Sequence, residues 1–127
     1  MISIILVSHS KKITDGLKEM IEEMVDSTGD VKIFSAGGTE DGRLGTDSVA
    51  IYNIIKQSSQ HNNILIFADI GSAILSTETA IDLIEDEELK SKVTLVDAPL
   101  VEGAFVASIQ AMVDKDVEGI LAELQNI

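Results

Sequence analysis

Ile2-Ser-Ile-Ile-Leu-Val7 is an almost unbroken apolar run, rich in β-branched residues, that stops at Ser8-His9-Ser10-Lys11-Lys12. A strand covered on both faces has this near-continuous hydrophobicity, as in a parallel sheet sandwiched by helices. The residues that follow change period. Ile13, Leu17, Met20, Ile21 and Met24 recur at helical spacing, with Glu19, Glu22 and Glu23 on the polar side. His9 therefore stands at the carboxyl end of a strand, the edge at which open α/β sheets bind their ligands.

The same alternation continues along the chain. Val31 to Phe34, Ile64 to Ala68 and Val93 to Val96 are further strand candidates, each followed by a turn signal and a helical pattern. The second helix, Asp47 to about Ser58, carries Val49, Ile51, Tyr52, Ile54 and Ile55, more apolar surface than one core-facing stripe requires. Its surplus face is expected at a subunit interface. A third helix follows Asp69-Ile-Gly-Ser72, and the acidic Glu85-Asp-Glu-Glu88 reads as its solvated end. A fourth starts after Pro99, and Val117, Ile120, Leu121 and Leu124 mark a terminal one. Strands and helices joined by short loops predict an α/β fold, an open and mainly parallel sheet flanked by helices with right-handed crossovers.

Composition narrows the function classes. The 127 residues suit one domain spanning 1–127, which would bury roughly two-thirds of the surface its unfolded chain exposes. With 45% hydrophobic but 3% aromatic residues, the interior must be aliphatic. Cysteine is absent, which removes disulfides, thiol catalysis and cysteine zinc sites together. A net charge of −13 repels nucleic acid and anionic membrane surfaces and favours a basic protein partner. There is no run of about eighteen apolar residues and no leader with a basic flank, so the expected location is the cytoplasm.

Parallel strands deliver their carboxyl-end loops to one edge, which brings Ser8-His9-Ser10, Ala36-Gly37-Gly38, Asp69-Ile-Gly-Ser72 and Asp97-Ala-Pro99 together. Asp69 ends its apolar run as His9 ends the first. A carboxylate beside an imidazole fixes the tautomer by accepting one ring N–H, leaving the other nitrogen's lone pair free for attack. A strand-end histidine also serves simply to hold a loop, and an aspartate there to cap a helix; spacing alone leaves both readings open. Ser8, Ser10 and Ser72 are candidate phosphate donors with equally good capping roles. His61, in a polar loop, reads as a surface residue, and two histidines without cysteine argue against a histidine-rich metal site.

Gly37-Gly-Thr-Glu-Asp-Gly-Arg-Leu-Gly-Thr46 is a loop whose backbone N–H groups can approach an anion, while Thr46 or Asp47 can cap the next helix. It lacks the ending of a Walker A motif. Gly38 and Thr39 are candidate phosphate or partner contacts, as is Arg43, the only arginine, suited to an anion or a partner carboxylate. Lys11 and Lys12 sit at a helix start, where the macrodipole disfavours cations, which points to phosphate or an acidic partner.

His9 after the first strand, the Gly37 to Thr46 loop, Ala68-Asp-Ile-Gly-Ser-Ala73 and Val96-Asp-Ala-Pro-Leu-Val-Glu-Gly103 together resemble one family. It is that of the phosphotransferase subunits of phosphoenolpyruvate-dependent dihydroxyacetone kinases, relatives of the mannose-type IIA domains of the sugar phosphotransferase system. The resemblance runs over essentially the whole chain. It implies a mannose-type IIA fold, phosphotransferase activity and a homodimer. His9 would accept a phosphoryl group from the phosphohistidine of the carrier protein HPr and pass it to ADP on the nucleotide-binding kinase subunit, which supplies ATP for dihydroxyacetone on a third subunit. Asp69 would hold Nδ1, leaving Nε2 to carry the phosphoryl group. No cofactor is implied on this subunit; ADP and Mg²⁺ belong to the partner. Some members of the family continue into HPr-like and enzyme-I-like domains, whereas residues 1–127 cover the first domain, so separate carriers are expected.

Two alternatives stand beside it. A sugar-transport IIA domain shares the fold and the histidine, but such domains carry glycine after the active histidine and Gly-Gly-Ser-Pro after the aspartate, where this chain has Ser10 and Gly71-Ser72-Ala73. A non-catalytic flavodoxin-like binding module fits the β-α order. Ser8-His9-Ser10, however, supplies neither the acidic pair of a response regulator nor the hydroxyl-rich loop of a flavodoxin.

Overall fold

The computed structural model describes residues 1–25, 29–113 and 116–127. Four strands, β1 (Ile2–Val7), β2 (Val31–Ser35), β3 (Asn63–Ala68) and β4 (Val93–Leu95), form one all-parallel sheet in the order β2-β1-β3-β4. The helices are α1 (Lys11–Met24), α2 (Ser48–Gln57), α3 (Gly71–Asp82), α4 (Glu87–Ser91), α5 (Leu100–Val113) and α6 (Val117–Leu124). The expected α/β class and strand positions hold, with β2 running on to Ser35 and β4 ending before Val96.

Side-chain alternation along β1 divides the core. Ile2, Ile4 and Leu6 pack with Leu17 and Ile21 of α1, Ala104 and Ala107 of α5, and Ile120 of α6. Ile5 and Val7 face the other way, against Ile51 and Ile55 of α2 and Ala73 and Ala80 of α3. The first crossover thus covers one face and the second the other, and strand order reverses between β1 and β3. That switch point is where parallel α/β sheets open a crevice beyond their strand ends. The register pairs Val7 with Ala68, so Ser8-His9 and Asp69 leave the sheet side by side.

Two expectations need correction. The acidic run is not the end of the third helix, because α3 stops at Asp82 and Glu87 opens a separate short helix. Asp86 caps it by accepting the N–H groups of Glu88 at 3.0 Å and Leu89 at 3.4 Å, which competes with helix continuation, and Leu89 is buried against the α2 and α3 side of the core. His61 is not a plain surface residue. Its Nδ1 meets the hydroxyl of Ser3, which is fully buried within the sheet. Partial burial, then the N-terminal ammonium and Lys32, push the His61 pKa down. The neighbouring Asn62 side chain accepts from the Met1 ammonium at 2.7 Å. No helix among the described residues is long and apolar enough to cross a membrane.

Candidate functional site

Strand ends and backbone donors build the site. Asp69 Oδ1 lies 3.1 Å from His9 Nδ1 and accepts the Ile70 N–H at 2.7 Å. Its Oδ2 accepts the Ser8 hydroxyl at 2.9 Å and the His9 backbone N–H at 3.2 Å. Burial raises the carboxyl pKa, but the donors from Ile70, Ser8 and His9 outweigh it and hold Asp69 below the ordinary aspartate value. An ionised carboxylate only accepts hydrogen bonds, so Nδ1 carries the proton and the neutral ring presents its lone pair at Nε2. In that neutral tautomer Nε2 accepts from the Ser72 hydroxyl. The His9 side chain remains 31% exposed, open to a visiting group.

Electrostatics at this edge favour an anion. α1 begins two residues after His9 and α3 two residues after Asp69; their N-cap residues, Ser10 and Ile70, make no side-chain capping bond, and neither first turn holds an acidic residue. The helices α2, α4 and α6 are instead capped by Asp47, Asp86 and Asp116. Two helix N-termini thus reach the imidazole without a side-chain bond from their N-cap residues, the Asp69 carboxylate lying at the start of α3. A crevice of about 510 Å³ opens beside Asp69, lined also by Ile74, Asp97 and Pro99.

The glycine loop is fastened to the same strand end. Gly38 N–H donates to the Ser8 carbonyl at 3.0 Å and Gly45 N–H to the His9 carbonyl at 2.8 Å. Gly38 has φ +73°, a conformation that glycine adopts without strain. Between these anchors Thr39 closes a turn of its own, its N–H donating to the Arg43 carbonyl at 2.9 Å and its hydroxyl accepting the Arg43 N–H at 3.1 Å. Beyond the loop, Thr46 and Ser76 hydroxyls bond at 2.5 Å, fixing it to α3 one turn below Ser72.

The structure brings four of the expected residues, His9, Asp69, Ser8 and Ser72, into one hydrogen-bonded group. Ser10 contributes its N–H to the Ser8 hydroxyl at 3.1 Å. Gly38 touches the group through backbone alone, and Thr39 and Arg43 belong to the outer turn. The Lys11 ammonium lies 3.4 Å from the Asp15 carboxylate. Of the two proposed caps for α2, Asp47 serves, while Thr46 reaches Ser76. Not anticipated were Gly45 and Thr14, whose hydroxyl accepts the Gly37 N–H at 2.9 Å; only the adjacent pair Gly37-Gly38 hinted at such close packing. Among the described residues no three His, Asp or Glu side chains cluster so as to hold a metal ion.

Residues 3–121 match the family EIIA-man, the fructose IIA component of the PTS system. The chain belongs to the EIIA-man family. Its EIIA-man relatives include the phosphoryl donor subunit DhaM of phosphoenolpyruvate-dependent dihydroxyacetone kinase 2 from Listeria innocua, 58% identical over 127 residues that cover all of this chain and 99% of the relative. The DhaM of Providencia stuartii is 41% identical over 98% of this chain, which spans only 26% of that protein's length. The Lactococcus lactis DhaM is 32% identical, with 98% and 94% of the two chains covered. Among solved EIIA-man-like structures, the crystal structure of a protein of unknown function has a TM-score of 0.90 at 52% identity, covering 98% of this chain and 93% of its own.

Proposed function

We propose that this chain is a phosphohistidine carrier, the phosphoryl donor subunit of a phosphoenolpyruvate-dependent dihydroxyacetone kinase. His9 accepts a phosphoryl group from phospho-HPr and delivers it to ADP on the nucleotide-binding kinase subunit. The observation that carries this reading is the clamp on Nδ1 by Asp69, which turns Nε2 outward at two uncapped helix N-termini. Relatives named as phosphoryl donor subunits, one of them matching end to end, support it.

The chemistry follows from the ring. Nε2 attacks the incoming phosphorus as its bond to the donor histidine breaks, and the Nδ1 proton stays in place. The phosphorylated ring is then cationic, and Asp69 at 3.1 Å stabilises that charge. Keeping the proton also keeps the ring a good leaving group, so the group stays transferable. Ser72 must swing off Nε2 before attack; its hydroxyl and the N–H groups at the start of α1 and α3 are then the donors for phosphoryl oxygens, while the buried Ser8 hydroxyl stays on Asp69. Transfer of this kind depends on positioning and charge stabilisation more than on covalent help from the protein.

Asp69→Ala is expected to slow phosphoryl acceptance roughly 10- to 100-fold without abolishing it, the worth of one charge-assisted hydrogen bond; rapid-quench phosphorylation by phospho-HPr measures this. A homodimer belongs to the same proposal, supported by Val49 of α2 and Leu75 of α3, which stay 60% and 64% exposed on neighbouring helices. Light scattering at micromolar concentration checks it, and a mass of one chain would refute it.

The function itself is tested by charging the protein with phosphoenolpyruvate, enzyme I and HPr, then adding the kinase subunit loaded with ADP. Loss of the adduct with formation of ATP is expected. Discharge only by a IIB domain of a sugar transporter would assign the chain to transport instead, a reading for which no observation in the site speaks.

A further inference from the structure

We infer that Arg43 reaches into the partner's nucleotide site and binds the polyphosphate during transfer, an assignment that rests on the phosphocarrier reading above. Transfer from phosphohistidine to a nucleoside diphosphate on the partner gathers several negative charges against a chain whose net charge is already −13. The reacting imidazole brings no cation of its own to bear on them: among the described residues its side-chain partners are the Asp69 carboxylate and the Ser72 hydroxyl. As the Nε2–P bond breaks, its electron pair returns to the ring and a terminal oxygen of the diphosphate forms the new P–O bond. No proton has to move. What the step needs is positive charge around the phosphates.

The glycine loop carries one guanidinium to this edge and presents it outward. The Arg43 side chain is 84% exposed, and its ionic contact, from Nε to Asp41 Oδ2, is a long 3.7 Å. The turn that carries it is closed by the Thr39 bonds, so the tip is shaped without the help of any other element. Its two roots bond to consecutive carbonyls, those of Ser8 and of His9 itself. A partner that seats the Arg43 tip is therefore brought into register with the nucleophile. A planar guanidinium fork suits phosphate oxygens better than the point charge of a lysine. Leu44, beside it and 80% exposed, offers the loop an apolar contact with the same partner.

The test compares Arg43→Gln, Arg43→Lys and, as a charge-matched control, Lys90→Gln, at the end of α4 beside the amino-terminal edge of the sheet. Each is charged by phospho-HPr and then discharged to the kinase subunit carrying ADP. Arg43→Gln is expected to charge normally and to discharge about 10- to 100-fold more slowly at saturating partner, the span of one charge-assisted hydrogen bond. Arg43→Lys should fall between, and Lys90→Gln should stay near the parent. Binding to the nucleotide-free subunit should be the same for Arg43→Gln and the parent chain. Normal discharge by Arg43→Gln overturns the assignment, as does an equal loss in Lys90→Gln, which would indicate overall charge. Weakened binding to the nucleotide-free subunit overturns it too, placing Arg43 on protein surface rather than phosphate. Failure of the parent chain to discharge would sink the phosphocarrier reading instead, so the two failures are separable.

Discussion

His9→Ala is expected to lose phosphoryl acceptance completely while melting close to the parent chain. The imidazole is partly exposed, and its partners are Asp69 and Ser72. The backbone bonds at this residue, N–H to Asp69 and carbonyl from Gly45, survive the substitution. A stability change within about 1 kcal/mol follows. No second imidazole can take over, because His61 lies against Ser3, near the opposite end of β1. Intact-protein mass after incubation with phosphoenolpyruvate, enzyme I and HPr reads the outcome directly: an acid-labile phosphoryl adduct on the parent and none on the variant. An adduct that persists on the variant would move the nucleophile to another residue.

Gly37→Ala should cause the largest loss of stability obtainable by adding a single methyl group near the site. A Cβ at residue 37 would stand 2.4 Å from the Ser10 carbonyl oxygen and 2.4 Å from the Thr14 hydroxyl. Neither can retreat easily. The first is backbone at the start of α1, and Thr14 is fully buried and accepts both the Gly37 N–H and the Ser35 hydroxyl. Overpacking of this kind costs about 2–3 kcal/mol, which lowers Tm by roughly 10 °C in a domain of this size. Gly16→Ala is the control, since a Cβ there meets nothing within 4 Å and alanine is the better helix former. Thermal unfolding of the pair decides the matter: an unchanged Tm in Gly37→Ala would mean that the loop does not pack as tightly on α1 as described.

The sequence made the architecture readable where period and strand ends carry the information. The change from the β1 run to the helical spacing of Ile13, Leu17 and Ile21 marked both elements and left His9 at the edge between them, and Asp69 was found in the same way. The pairing of Val7 with Ala68 was not legible, because register belongs to two strands jointly and to neither alone. The loop anchors escaped for a different reason. Every residue other than proline offers a backbone N–H, so nothing in the letters singles out Gly38 and Gly45 as the ones that hold Ser8 and His9. One missed contact did have a signal. Ser3 is a polar residue inside an apolar run, and a buried hydroxyl needs a partner; His61 is that partner. The break between α3 and α4 was hidden because Ile81, Ile84 and Leu89 continue an apolar pattern across it, while the Asp86 cap interrupts the helix.

The two anchors of the glycine loop divide labour within the chain. Residues 39–44 are bracketed by bonds to the adjacent carbonyls of Ser8 and His9, so replacement of the stretch between them need not shift the imidazole. Mutation at the tip, Arg43 included, alters what can dock there, while the hydrogen bonds that orient His9 stay as they are.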